Sequence, residues 1–160
     1  VLYYIMKGLK NMKISSKVEC GIIALVDICV NAPTENVVKV VNISQRQSIS
    51  AKYLEQILPL LRHAGIIRSV KGAKGGYTLS RSASKITLAE IIDALDSSVL
   101  GQVSFEEKWD PLVTEALDDT LWSRMSALLR DHAHKISLSD LAGKYNGLVE
   151  DSISEPMYYI

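Results

Sequence analysis

Thirty residues, from Ser50 to Leu79, constrain the fold of this chain more than any other part of it. They read SAKYLEQILPLLRHAG, then IIRSV, then KGAKGGYTL. Ser50 is a good N-cap, because its hydroxyl can accept from a backbone N–H of the first turn. Leu54, Ile57, Leu58 and Leu61 recur at i, i+3, i+4 and i+7, the spacing of one apolar face of a helix. Gly65 stands where such a helix ends in a left-handed residue. Two short runs of strand formers then flank a basic, glycine-rich tip, with Tyr77 opening the return strand, and that spacing suits a hairpin. A capped amphipathic helix feeding directly into a hairpin predicts a winged helix-turn-helix, so this segment is expected to read DNA.

The flanking segments fit that frame. Ile22, Leu25, Val26 and Cys29 repeat the helical spacing from Ser16 onwards, and Asn31-Ala-Pro33 is expected to end the run. The valines between Val37 and Ile43 lean towards strand, which makes the helix there the one least supported by propensity. Pro59 removes a hydrogen bond from its helix and is expected to bend the last turns. Thr87-Leu-Ala-Glu90 spells a capping box, and Leu88, Ile91, Ile92 and Leu95 form the inner face behind it. Residues 97–111 read as a linker. Beyond it, Val113, Leu117, Leu121, Met125, Leu128 and His132, widened by Trp122 and Leu129, make the longest periodic stripe in the chain. Little of the chain is left to cover that stripe, and pairing with a second copy is the economical solution. Val113, Leu117, Leu121, Trp122, Met125 and Leu128 are therefore the candidate dimer interface. Ser137-Leu-Ser-Asp140 caps one last short helix, and a polar stretch leads to MYYI.

The expected fold class is mainly α with a small β-hairpin. A winged helix-turn-helix domain spans 12–96, a linker 97–111, and a long dimerisation helix with its tail 112–160. Residues 1–11 share no pattern with the rest, and Met12 offers an alternative start. They are set aside as an N-terminal extension that need not be native.

Eighteen Lys and Arg balance eighteen Asp and Glu, but not evenly along the chain. From Met12 to Arg81 ten basic residues face four acidic ones, a net of +6; from Ser82 to the end six face fourteen, a net of −8. That split suits a nucleic-acid-binding half joined to a half with another task. No apolar run nears the ~18 residues of a membrane span, and Asp27 interrupts the longest, Ile22 to Val30. The opening VLYYIMK lacks the features of a signal peptide, so the cytoplasm is the expected location. The two cysteines, Cys20 and Cys29, are nine residues apart and show no metal or disulfide pattern. Both read as small core hydrophobes, with a redox-sensing thiol as the alternative.

Chemistry narrows the candidates further. The outward face of the helix after Ser50 carries Ala51, Lys52, Glu55, Gln56 and Arg62. Gln56 can pair bidentately with adenine, Glu55 can accept from cytosine, and Lys52 can reach guanine or phosphate. Lys71 and Lys74 lie on a tip whose glycines (Gly72, Gly75 and Gly76) allow close approach to a narrow groove. KGAKGG lacks the Gly-Lys-Ser/Thr ending of a nucleotide-binding loop. His132 and His134 are two apart and point to different faces, and His63 ends its own helix, so all three read as structural. No nucleophile, base or metal set suggests an enzyme, and no catalytic residue, metal or cofactor is expected.

Several motifs in order resemble one family. SSK at Ser15 to Lys17, ISQRQSIS at Ile43 to Ser50, YLEQ at Tyr53 to Gln56, LRHAGII at Leu61 to Ile67, SVKGAKGGYTL at Ser69 to Leu79 and ITLAEIIDAL at Ile86 to Leu95 resemble the Rrf-two family of bacterial winged-helix regulators. The resemblance covers nearly everything from Met12. It implies a homodimer clasped by the long helix, with two winged helices on a two-fold-related operator. By position, Lys52, Glu55 and Gln56 would face the major groove, and Lys71 replaces a wing arginine that enters the minor groove. Lysine keeps the charge there but loses the planar fork. Lys17, Ser50, Tyr53, Arg62, Gly72, Lys74 and Gly75 complete the candidate DNA contacts.

Two departures stand out. Cluster-binding members carry three ligand cysteines between the helix at Leu88 and the long helix, and SSVLGQVSFEEKWDP contains none. An iron–sulfur cluster is not expected. Val18-Glu-Cys20 also stands where relatives commonly carry Gly-Arg-Tyr, so a basic contact and a packing aromatic are missing. ISLSDLAGKY and the terminal MYYI look like the cluster-free, cysteine-metabolism branch, whose members work with cysteine synthase. Tyr158, Tyr159 and Ile160 would then form a partner-binding tail, or pack on the dimer instead. The main reading is a dimeric repressor on a palindromic operator, with cysteine or sulfur genes as candidate targets. The alternative is a winged-helix interaction module whose tail docks a partner enzyme such as cysteine synthase.

Overall fold

The structure, a computed structural model, describes residues 15–101 and 104–154. The N-terminal extension and the tail candidates Tyr158, Tyr159 and Ile160 lie outside the described residues. Helices α1 (Ser16–Glu35), α2 (Val40–Gln47) and α3 (Ala51–His63) lead into strands β1 (Ile67–Val70) and β2 (Gly76–Leu79). A short 3-10 turn at Ala83–Lys85 precedes α4 (Leu88–Asp96). Next come α5 (Pro111–Leu117), a π-helical turn at Asp118–Trp122, α6 (Ser123–Lys135) and α7 (Leu138–Ser154). The fold is mainly helical with one two-stranded antiparallel hairpin, a winged helix followed by a long helical segment. Among the described residues no helix is long and apolar enough to cross a membrane.

Local signals set most of these boundaries. The Ser50 hydroxyl accepts from the Tyr53 N–H at 3.1 Å and starts α3. Gly65, at φ +69°, closes its far end, a backbone conformation costly for a residue with a Cβ. The capping box forms: the Thr87 N–H donates to Glu90 Oε2 at 2.9 Å, and the Glu90 N–H donates back to the Thr87 hydroxyl at 3.3 Å. The hairpin runs in register from Ile67 opposite Leu79 to Val70 opposite Gly76, so the return strand opens at Gly76, one residue before the expected Tyr77.

Two helices outrun their expected ends. α1 continues through Pro33 to Glu35. Proline removes a single N–H from the ladder near the helix terminus, while the Asn36 N–H still reaches the Ala32 carbonyl at 2.8 Å. α7 is 17 residues long, not the short helix expected. Gly143 and Gly147 lower its local propensity, and packing along α1 compensates. The valine run divides between both tendencies: Val38 bridges Tyr77 through two 2.8 Å backbone hydrogen bonds, and α2 begins at Val40. Pro59 lies inside α3 without ending it.

The core draws Leu25 and Ile28 from α1, Ile43 from α2, Leu54, Ile57, Leu58 and Leu61 from α3, and Ile91 from α4. Leu138, at the head of α7, is buried in the same core. A bridge between Thr87 and Ser137 holds it there, with the Leu138 N–H donating to the Ile86 carbonyl at 2.8 Å. α6 is tied to α4 by Arg130, whose guanidinium donates to Asp93 at 2.8 and 3.2 Å.

Candidate nucleic-acid interface

Burial on one side of α3 fixes what its other side can present. Leu54, Ile57, Leu58 and Leu61 face the core, leaving Lys52, Glu55, Gln56 and Arg62 exposed on the opposite face. Lys52 is three and four residues from Glu55 and Gln56, so these side chains adjoin, and Arg62 lies two turns beyond Glu55 on the same side of the helix. Ser50 is exposed at the head of that face, and Tyr53 is half-buried with its ring packed against the core. In a helix-turn-helix this is the surface that enters the major groove. The turn before it contains Ser48 in the left-handed region, at φ +54°.

The wing tip, Lys71 to Lys74, is exposed throughout. Its turn closes where the Gly75 N–H donates to the Gly72 carbonyl at 2.8 Å. A Cβ on Gly75 would collide with the Val70 carbonyl oxygen, so the turn requires glycine there. Tyr77 is half-buried against the core, and its backbone bridge to Val38 fastens the wing to the entrance of α2. Exposed Lys39, at that entrance, and exposed Arg68, on β1, are two further cations that motif reading passed over. Only their membership of the basic half pointed to them. Lys17 is exposed in the first turn of α1 beside the carboxyl of Asp96. That carboxyl is held below its usual range by hydrogen bonds from Ser98 and Ser15, with the Lys17 charge adding to them. Arg81 is committed to the fold instead: it donates to the Gly65 carbonyl at 3.0 Å and to Glu90 at 2.6 Å.

A buried carboxylate orients the helix-turn-helix. Asp27, 2% exposed, accepts from Arg46 Nε at 3.0 Å, Arg46 Nη2 at 2.7 Å and Gln47 Nε2 at 2.8 Å. Arg46 and Gln47 end α2, immediately before the turn into α3. The clamp therefore fixes α2 against α1 and, through the turn, the attitude of the recognition helix. In the sequence Asp27 showed only as an interruption of an apolar run, because its partners lie 19 and 20 residues away.

The long helix presents the opposite pattern. Val113, Leu117, Leu121, Met125 and Leu128 are 56, 42, 42, 43 and 70% exposed. Spacings of four drift by about 40° per step on a regular α-helix. A π turn accommodates an extra residue, and here it falls at Asp118–Trp122, offsetting that drift midway along the stripe. The Ser123 hydroxyl donates to Asp118 at 2.7 Å across it. Trp122 is half-buried and shares an apolar cleft with Phe105, Trp109, Val113 and Leu117. Cys20 and Cys29 are half-buried on α1, and burial pushes both thiols above their usual range, with the Glu19 charge adding to the effect at Cys20. Neither has the lowered pKa of an activated thiolate.

A winged helix with a polar recognition face and a basic wing defines a class of DNA-binding regulator. Comparison with known proteins places the chain within that class. The Rrf2 family model, described as an iron-dependent transcriptional regulator, matches residues 14–144. The HTH-type transcriptional regulator IscR of Vibrio campbellii is 37% identical over 142 residues, covering 88% of this chain and 83% of that protein. The chain belongs to the Rrf2 family of transcriptional regulators. Among solved structures, CymR, the global cysteine regulator of B. subtilis, superposes with a TM-score of 0.69 at 29% identity, covering 83% of this chain and 98% of CymR. T. potens IscR gives 0.68 at 30% identity, covering 94% and 98%.

The iron dependence in the family description finds no matching ligand set here. The stretch 97–111 holds neither cysteine nor histidine, and the chain's two cysteines both lie on α1. Among the described residues no group of three or more His, Cys, Asp or Glu side chains could hold a metal ion. These residues do not fit a cluster.

Proposed function

We propose that this chain is a sequence-specific transcriptional repressor that binds a palindromic operator as a homodimer without a cofactor. The observation that carries the reading is the exposed strip Lys52, Glu55, Gln56 and Arg62 on a helix capped by Ser50, beside a solvated wing with Lys71 and Lys74. Residues 12–96 would form the DNA-binding unit and 112–160 the assembly unit, joined by 97–111. α3 would read base edges through Gln56 and Glu55, with Lys52 and Arg62 on guanine or phosphate. Lys17, Ser50, Tyr53, Gly72 and Gly75 would place backbone or side-chain donors against the phosphates. Lys71 and Lys74 would enter the neighbouring minor groove. The exposed stripe from Val113 to Leu128, with Trp122, would be covered by its counterpart on a second copy. A two-fold axis through that contact repeats the half-site as a palindrome.

The likeness to CymR supports cysteine or sulfur genes as the targets. Tyr158, Tyr159 and Ile160 would then dock cysteine synthase as an apolar segment. Selection of bound duplexes from a random library at near-physiological salt tests the main reading. An enriched palindrome is the expected result, and a well-folded protein that enriches no sequence would sink it. Pull-down of cysteine synthase by full-length protein, but not by a version lacking Ile160, is the expected result for the tail.

A further inference from the structure

A groove of about 610 Å³ runs between α1 and α7 and reaches the end of α2. Its walls are apolar: Ile22, Val26 and Val30 on one side, Leu141, Tyr145 and Leu148 on the other. Leu148 is 56% and Tyr145 43% exposed, so each retains apolar surface that a guest could cover. The volume falls within the range of roughly 300–1,000 Å³ seen for small-molecule sites.

Polar side chains interrupt these walls where α2 closes the groove with Asp27, Arg46 and Gln47, and at Asn31 on α1. The Asp27 side chain is fully buried beneath its partners, while the Arg46 side chain keeps 32% of its surface. Lys144, on α7, lines the groove, is exposed, and has no ion-pair partner among the described residues. No other carboxylate among the described residues lines the groove. Among the described residues, Lys144 therefore sets a positive charge beside the apolar walls.

We propose that this groove binds a small amphipathic carboxylic acid, its hydrocarbon body between α1 and α7 and its carboxylate on Lys144. The site is distinct from the recognition helix and wing. Its floor is nevertheless the clamp that sets α2 against α1, one turn from α3. A guest seated there bears on Arg46 and Gln47, so its occupancy is read by the recognition helix. Charge complementarity favours this guest over a second copy's apolar helix, which would leave the Lys144 ammonium without an acceptor.

Titration calorimetry of the full-length protein with decanoate, below its aggregation concentration, tests the site without DNA. Saturable binding at one per chain is expected, weakened about tenfold in Lys144→Glu and about tenfold for 1-decanol. A Leu148→Trp variant fills the groove from an exposed position and is expected to abolish binding while keeping its unfolding midpoint. Absence of saturable binding, or equal affinity for decanoate and 1-decanol, would overturn the proposal. So would a fall to monomer in Leu148→Asp by sedimentation, because the groove would then be an interface between copies. Decanoate is further expected to change the affinity for the selected duplex at least threefold in the parent protein and not in Leu148→Trp. Binding that leaves duplex affinity unchanged would overturn the link to the recognition helix while leaving the proposed DNA reading intact.

Discussion

In α3 the side chains of Leu54, Ile57, Leu58 and Leu61 are no more than 1% exposed, whereas along the long helix Leu112 keeps 76% of its surface and Leu128 70%. Both segments are amphipathic, and both carry leucine at helical spacing. The difference lies in what faces them. The stripe of α3 meets α1, α2, α4 and the hairpin, and closes a core. The helix that carries the other stripe touches α4 along its Arg130 and Ala133 edge, and the stripe itself faces water. Large exposed apolar patches are rare on finished monomers, and the proposed homodimer would cover this one. One half of the chain buries its stripe within its own fold; the other leaves its stripe facing solvent.

The sharpest break of that contrast compares leucines. Leu58→Ala should lower stability by about 2–5 kcal/mol, the usual result of truncating a fully buried leucine. The loss should appear in denaturant unfolding at every protein concentration. Leu128→Asp should leave the helical circular dichroism intact and shift the molecule towards monomer in sedimentation. Equal oligomeric state for parent and Leu128→Asp would show that the exposed stripe has no self-association role. Near-zero cost for Leu58→Ala would remove the distinction from the other side.

Next in size is the clamp. Arg46→Ala takes two of the three donors described above from the enclosed Asp27 carboxylate and leaves it the Gln47 amide. Breaking a buried pair costs about 3–5 kcal/mol, and the part-exposed position of Arg46 places the expected loss nearer to about 2 kcal/mol. Arg46→Met, which keeps the stem but not the donors, should lose nearly as much. Recovery of parental stability in Arg46→Met would mean that packing, not the ion pair, holds α2.

The clamp also marks where sequence reading stops. Ser50, Gly65 and the Thr87–Glu90 box were legible because each signal and its effect lie within four residues. The hairpin was legible because its glycine-rich turn, closed between Gly72 and Gly75, is equally local. Asp27 and Arg46 meet across 19 residues, and no local rule points from one to the other. The ends of α1 and α7 were misjudged because Pro33, Gly143 and Gly147 weaken helices locally, while packing between those two helices decides the outcome. The π turn at Asp118–Trp122 has no composition signal, and the stripe read simply as one periodic helix. At the candidate interface, Lys39 went unread because it belongs to no motif, and Arg68 because it counted only as part of the strand run IIRSV; the place of Lys39 beside the wing emerges only when Val38 pairs with Tyr77.

A smaller effect on stability is expected at the wing tip. Lys71→Ala with Lys74→Ala removes two exposed cations from the tip and should change stability by no more than about 0.5 kcal/mol. Duplex affinity should fall almost uniformly across sequences. The slope of log affinity against log salt should flatten by about 2, close to one for each phosphate that is no longer neutralised. An unchanged slope would take the wing off the DNA and shift weight to Lys39 and Arg68.

The smallest effect belongs to the cap that starts α4. The Glu90 carboxyl sits below its usual range chiefly because it accepts the Thr87 N–H, with the Arg81 charge and further hydrogen bonds helping. A carboxylate with a lowered folded pKa adds stability above its unfolded pKa and loses it as pH falls through the folded one. Glu90→Gln can still accept at the cap but offers Arg81 no charge. The side chain is 44% exposed, so solvent screening limits the expected loss at neutral pH to roughly 0.2–1 kcal/mol. Unfolding midpoints of parent and Glu90→Gln should converge as pH drops below the ordinary glutamate range, about 4.3. A gap that persists at low pH would place the contribution of Glu90 in packing rather than charge. Arg81, which also binds the Gly65 carbonyl, would then be holding the exit of the recognition helix without help from the carboxylate.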